Sequence, residues 1–200
     1  MDITPTRSIA LELRDERRAM HEGYVFLDEK CLLLAGEMLR ELARYTERQR
    51  AFAILWERAV VALQAAVARH GLEGMQVYPP VDVSSAEIRS VTRSLMGVRL
   101  VVAEWVGAPT GGAPAVDHSP EAEACRGAWS RLVAEAVPLA AVVGNLERLQ
   151  QEYHRAVRRA RALSDVLLPE LDRTLYEIET RLAEQDQEDA IWMRRDDAHD

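Results

Sequence analysis

Only two cysteines, Cys31 and Cys125, occur in 200 residues. Two lone thiols make neither a disulfide framework nor a zinc site. Cys31 falls on an apolar stripe and reads as a small buried hydrophobe, whereas Cys125 lies in a polar helical stretch. Positive charge is also short: the net charge is −8, so no whole-protein field favours nucleic acid or anionic lipid. One local basic cluster, Arg155, Arg158, Arg159 and Arg161, reads as a solvated helix flank. No phosphate-cradling loop is present, because Gly107, Gly111 and Gly112 lack the spacing and the Lys-Ser/Thr ending. None of the five histidines begins a His-Glu-x-x-His pair. Three residues before them stand Arg18, Val67, Ala115, Gln151 and Asp196, so Glu-x-x-His di-iron ligation is excluded. The reading therefore assigns no catalytic, cofactor-binding or metal residue. The start, Met1-Asp-Ile-Thr-Pro5, lacks the basic and apolar regions of an export signal, and no 18-residue apolar run is expected.

What the chain does have is a long one-sided run from about Asn145 to Gln187. Leu146, Leu149, Tyr153, Val157, Ala160, Leu163, Leu167, Leu171, Leu175, Ile178 and Leu182 recur at steps of three or four. That period puts them on one stripe of a helix, with charge around the rest. A stripe held this long outruns an ordinary helix of roughly 10–14 residues and calls for a partner helix.

The N-terminal part supplies the partner. Thr4 is placed to cap and Pro5 to begin a helix. Leu13, Met20, Tyr24, Leu27, Cys31, Leu34, Met38, Leu42, Tyr45, Phe52, Leu55, Ala59 and Leu63 follow, with Gly71 after His70 as the stop. Such a helix spans about 100 Å at 1.5 Å per residue. Gly23 and Gly36 inside it each cost roughly 1 kcal/mol against Ala, which points to close packing or a bend.

Residues 71–119 change texture. Val77-Tyr78, Val81-Asp-Val83 and Val98–Val106 read as strand pieces, and Ser84-Ser-Ala-Glu87 as a capping box for a short helix near 85–95. Pro109–Pro114 reads as a loop, and Ser119-Pro120-Glu121 as a capped restart of helix. Pro138 and Gly144 allow a bend before the final rod, and residues 188–200 are expected to fray. The predicted fold is mainly α: an antiparallel coiled coil of the N- and C-terminal helices. Its segments are 1–70, a small α/β insert at 71–119 opposite the termini, 120–187, and a tail from 188.

Periodicity alone fits a scaffold or tethering protein, which remains the alternative. Three segments carry a resemblance beyond it. Pro5, Thr6, Arg7, Leu13, Gly23, Leu27 and Lys30 stand in one gap-free pattern. Leu95-Met96-Gly97-Val98-Arg99 is a short apolar-Met-small-Val-basic segment. Arg158, Arg159, Ala162, Leu163, Pro169, Leu171, Thr174, Leu175, Ile178, Leu182 and Glu184 form the third. In these segments the chain resembles the D subunit of the bacterial V-type (V/A-type, archaeal-type) rotary ATPases. Arg161 departs from the Asn often found there, and residues 100–145 match poorly.

The resemblance implies a non-catalytic rotor shaft of the central stalk. Its partners are the catalytic ring of A and B subunits, the F subunit of the stalk, and the socket subunit (C/d type) on the membrane rotor. Torque couples ATP hydrolysis or synthesis to H⁺ or Na⁺ movement. The implied place is cytoplasmic, peripheral to the inner or plasma membrane, with no direct membrane insertion. Pro169 removes one helical hydrogen bond and is expected to bend the C-terminal helix.

Overall fold

The computed structural model describes residues 6–81, 86–107, 115 and 118–196. The elements are α1 (Arg7–Val77), β1 (Glu87–Leu95), β2 (Val98–Val106), α2 (Pro120–Ala162), a π turn (Leu163–Leu167) and α3 (Leu168–Asp196). They divide into two compact units, residues 1–33 with 153–200, and residues 34–152.

In the first unit the start of α1 pairs antiparallel with the end of α2 and with α3. Arg7 bonds Asp186 at 2.9 Å, Arg14 bonds Glu179 at 2.6 Å and Arg17 bonds Asp172, so partners fall as residue numbers rise. The helix begins with Thr6, whose Oγ1 accepts the Ile9 N–H at 3.3 Å. The expected start at Thr4-Pro5 lies outside the described residues. Most of the expected stripe is where the helices meet: Ala160 and Ile178 are buried, and Val157, Leu171, Leu175 and Leu182, with Leu13, Tyr24 and Leu27 on α1, are half-buried; Ala156, outside the expected stripe, is buried as well.

Leu167 breaks the pattern. It is exposed, and Leu168 is half-buried instead. The cause is the π turn, in which the Leu168 N–H reaches back five residues to the Leu163 carbonyl. One extra residue in that turn brings Leu168 to the place expected of Leu167. Pro169 follows at once; its missing N–H and its ring are accommodated by this widened turn rather than by a break. The tail expected to fray is helix as far as Asp196.

In the second unit the middle of α1 packs antiparallel on α2, with Trp56 edge-on to Trp129 and His70 beside Ser119. The expected stop at Gly71 is a break: φ 73° and ψ 170° are not helical, yet helix continues to Val77. Val77-Tyr78 is therefore no strand, and Val81 is in no strand either; Asp82 and Val83 lie outside the described residues. The short helix expected near 85–95 is also corrected. Glu87–Leu95 is strand β1, paired antiparallel with β2 from Glu87–Val106 to Leu95–Val98. Cross-strand partners decide here: Val91 faces Val102 and Ile88 faces Trp105, and such pairs outweigh a local capping signal. The Pro109–Pro114 loop lies outside the described residues.

The turn joining the strands is Met96-Gly97, with φ 48° and 85°. Two residues at positive φ make the hairpin turn whose twist matches the strands, and Gly97 takes that conformation without a Cβ clash. The strand burial pattern switches faces, since Val98 and Leu100 are buried near the turn and Ala103 further on. Pairing is one-to-one throughout, so twist of a two-stranded ribbon accounts for the switch.

Helix α2 starts as expected, with Ser119 Oγ accepting the Ala122 N–H at 3.1 Å and Glu121 and Glu123 in the first turn. It runs through Pro138 and Gly144 without ending. Gly23 and Gly36 are not forced by close approach. A Cβ on Gly23 would lie 3.8 Å from Leu163 Cδ1, an ordinary contact, and one on Gly36 would meet nothing within 4 Å. Hydropathy needs correction too. One 18-residue window of α1, with at most two charged residues, reaches a mean hydropathy of 1.5 and is long and apolar enough to cross a membrane by length and composition.

Candidate interaction site

The two units offer different surfaces. The residues singled out near the termini belong to the helix pair of the first unit. Arg7 ends in the pair with Asp186. Leu163, Pro169, Leu171, Thr174, Leu175 and Leu182 are half-buried along the meeting face, and Ile178 is buried. Thr174 Oγ1 donates to the Glu170 carbonyl at 2.9 Å, which satisfies the hydroxyl inside its own helix. Gly23 lies opposite Leu163. Leu13, Leu27 and Lys30 are half-buried on α1. Arg158 and Arg159 are exposed and form part of the outer flank. Pro5 lies outside the described residues.

The outside of this pair is apolar in places: Leu11, Phe26 and Tyr176 are exposed, as are Ile191, Trp192 and Met193 near the end of α3. Its cross-helix ion pairs are exposed by two-fifths or more on both sides. Each contributes about 0–1 kcal/mol, so charge here sets register and solubility more than stability.

The second unit holds polar groups that the sequence reading did not single out. Glu37 and Glu41 are 3% and 1% exposed, one turn apart on α1. Each has an arginine three residues on: Arg40 lies 2.7 Å from Glu37 and Arg44 2.6 Å from Glu41. Arg93 of β1 reaches both, hydrogen-bonding Glu37 and lying 3.7 Å from Glu41. Burial alone would raise the Glu37 carboxyl, but hydrogen bonds from Arg93 and Arg40 and their charges outweigh it and hold it below the usual range. Glu37 and Glu41 thus carry their charges inside the unit rather than on its surface. No periodicity argument finds them, because a charge at a seam position reads as a lapse in the pattern.

On α2, Asn145 is 2% exposed and behaves as a piece of strand. Its Oδ1 accepts the Val101 N–H at 2.8 Å, and its Nδ2 donates to the Val101 carbonyl at 2.9 Å. Arg148 Nη2 donates to the same Oδ1 at 2.7 Å.

A third cluster surrounds the Gly71 break. Ser119 Oγ is 2.6 Å from His70 Nε2. The geometry resembles a nucleophile and its base, but Ser119 is buried and its oxygen already caps α2, so the pair closes a helix end. Tyr78 donates to Glu123 at 3.1 Å, and burial, then that hydrogen bond, raise its hydroxyl. Arg126 bonds Glu123 at 2.9 Å and lies over the Tyr78 ring. An apolar recess beside this cluster is lined by Val81, Trp105, Trp129 and Val133, with Cys125 in its wall. Cys125 is buried rather than polar-faced, and burial raises its thiol; Cys31 is only half-buried. Among the described residues no three His, Cys, Asp or Glu side chains gather into a metal site.

The described residues thus offer a thin helix pair with exposed apolar ends, and a ribbon held to helices by buried polar groups. Comparison with known proteins says what the chain belongs to. The family model for the D subunit of ATP synthase matches residues 10–195. The D subunit of the A-type ATP synthase of Methanopyrus kandleri is 28% identical, over 97% of this chain and 85% of the relative. The D subunit of the V-type ATP synthase of Thermotoga neapolitana is 24% identical, over 98% of this chain and 97% of the relative. Its V-type counterpart from Anaeromyxobacter dehalogenans is 28% identical over 95% and 93%. A match from residue 10 to residue 195, with relatives aligned nearly end to end, places this chain in the family of ATP synthase D subunits.

Proposed function

We propose that this chain is the non-catalytic central shaft of a V-type rotary ATPase. The observation that carries the reading is the family match across residues 10–195, on a chain whose terminal helices pair antiparallel. In this reading the terminal helix pair turns inside a ring of A and B subunits. The hairpin-bearing middle of the chain contacts the F subunit and the socket subunit on the membrane rotor. Torque passes between ATP chemistry in the ring and H⁺ or Na⁺ movement at the membrane. The assembly lies on the cytoplasmic side, peripheral to the membrane, and residues 71–119 act as its insert.

Physical features of the first unit suit the role. A shaft must slip past its ring, so deep desolvated ion pairs to the ring are a handicap. The exposed pairs of this unit are shallow and screened by salt. A shaft must also present unlike faces to three similar sites, and two helices of different sequence have no symmetry. The exposed apolar residues Leu11, Phe26, Tyr176, Ile191 and Trp192 suit a surface that the ring covers.

The test is native mass spectrometry of the tagged protein purified from its own cells. One copy in a complex with three copies each of two larger nucleotide-binding subunits is expected. A lone chain, or several copies in a symmetric assembly, would rule out the shaft. The π turn at Leu163–Leu167 and Pro169 then give a finer test. We infer that they set the bend that makes the shaft eccentric. Pro169→Ala is expected to lower ions moved per ATP while hydrolysis continues. Unchanged coupling would sink that role for Pro169.

A further inference from the structure

A two-stranded ribbon is marginal by itself, and this one has little apolar packing on one side. Residues 87–94 of β1 are exposed along their whole length, so only β2 contributes buried apolar side chains, namely Val98, Leu100 and Ala103. What ties the ribbon is polar. On β2, Val101 sends both its N–H and its carbonyl to Asn145 of α2. Thr92–Val101 is then one of the ladder pairs not bonded to each other, and the Asn145 amide takes the place of a third strand. On β1, Arg93 reaches Glu37 and Glu41 of α1. One strand is tied to one helix and the other strand to the other helix. A single attachment is a pivot. Two attachments on different helices, 44 and 56 residues away in sequence, fix the ribbon's orientation.

We propose that Asn145 and Arg93 are positioning residues that latch the β1–β2 ribbon as a rigid arm, so that torque is not lost in its swing. The torque part rests on the shaft reading; the latch rests on geometry alone. Both ties are desolvated at the helix end, since Asn145, Glu37 and Glu41 are buried. Breaking the Asn145 tie therefore takes from the Val101 N–H and carbonyl the partner they have here. Glu37 and Glu41 keep Arg40 and Arg44 when Arg93 is removed, so α1 retains paired carboxylates and the variant remains interpretable.

The test uses the assembled complex carrying Asn145→Ala, Arg93→Ala or Arg93→Lys. Hydrogen exchange is followed in the segment 87–106 and, as control, in α2. Ions moved per ATP hydrolysed are measured on the same samples. Asn145→Ala and Arg93→Ala are expected to speed exchange in the ribbon by about tenfold with α2 unchanged, as local opening does. Ions moved per ATP fall while hydrolysis persists, and Arg93→Lys, which keeps the charge, recovers part of both. Unchanged ribbon exchange in both alanine variants would overturn the latch and leave Val98 and Leu100 as the holding contacts. Faster exchange with unchanged coupling would overturn the positioning role while the shaft reading stood. If the wild-type chain is in no rotary assembly, the shaft reading and the torque claim fall together. Exchange in the isolated chain then decides the latch by itself.

Discussion

The two units are built from the same helices yet buried differently. Among the described residues of 1–33 and 153–200, the buried apolar side chains are Ala10, Ala156, Ala160 and Ile178. In residues 34–152 they include Leu34, Leu100, Leu132, Val142 and Leu149, and polar groups are buried among them. Two helices alone meet along a line, so most seam side chains stay half-covered. Adding a ribbon beside two helices encloses volume. Enclosed volume allows full burial of leucines and makes each unpartnered buried polar atom, such as Glu41 Oε2, costly. The thin unit leaves its seam side chains half-open to further contacts; the enclosed unit is suited to holding one geometry.

Core truncation should show that contrast most strongly. Leu100, 1% exposed, sits in the enclosed unit, and Leu100→Ala is expected to cost about 2–5 kcal/mol of unfolding free energy in chemical denaturation. Leu182→Ala, on a half-buried seam, should cost clearly less, about 1 kcal/mol. Equal losses would mean that the two units are not differently packed.

Acid titration should separate the units next. The Glu37 carboxyl is held below its usual range in the folded chain, so its contribution to stability is present above the unfolded carboxylate range. That contribution is lost as pH falls through the lowered folded value. Glu37→Gln should flatten the acid limb of a stability–pH curve below about pH 4.5. Asp186→Asn, which breaks the exposed Arg7–Asp186 pair, should change stability little at neutral pH. An acid limb insensitive to Glu37→Gln would remove the buried cluster as a stabilising feature.

The smallest effect is a gain. Gly36 is helical, and nothing lies within 4 Å of an added Cβ. Gly36→Ala is expected to raise stability by about 0.5–1 kcal/mol, read as an upward shift in thermal midpoint. A loss would show that the glycine is needed for a contact made outside this chain.

Much of this was legible beforehand, and the failures have physical causes. The helix pair could be read because one period repeats for dozens of residues, and each repeat votes for the same face. Leu167 failed because a π turn adds one residue to a turn, and no spacing of apolar residues distinguishes that from a slip. The helix expected near 85–95 failed because a capping box is a local signal, while strand β1 exists only through β2. The Leu95–Arg99 segment was noticed as a motif and not as a turn. A residue followed by Gly between β-branched runs is a hairpin signal, and it was there to use.

By itself the sequence determined the two long helices, their antiparallel pairing, the capped start at Ser119 and the family pattern at both ends. These depend on neighbours in the chain or on a period that survives any folding partner. Only the tertiary structure decided that Glu37, Glu41 and Asn145 are buried, that Arg93 and Val101 are what they meet, and that Gly71 interrupts the helix rather than ending it. The partners of those groups lie tens of residues away, and a buried charge or amide carries no local mark of the group that will satisfy it.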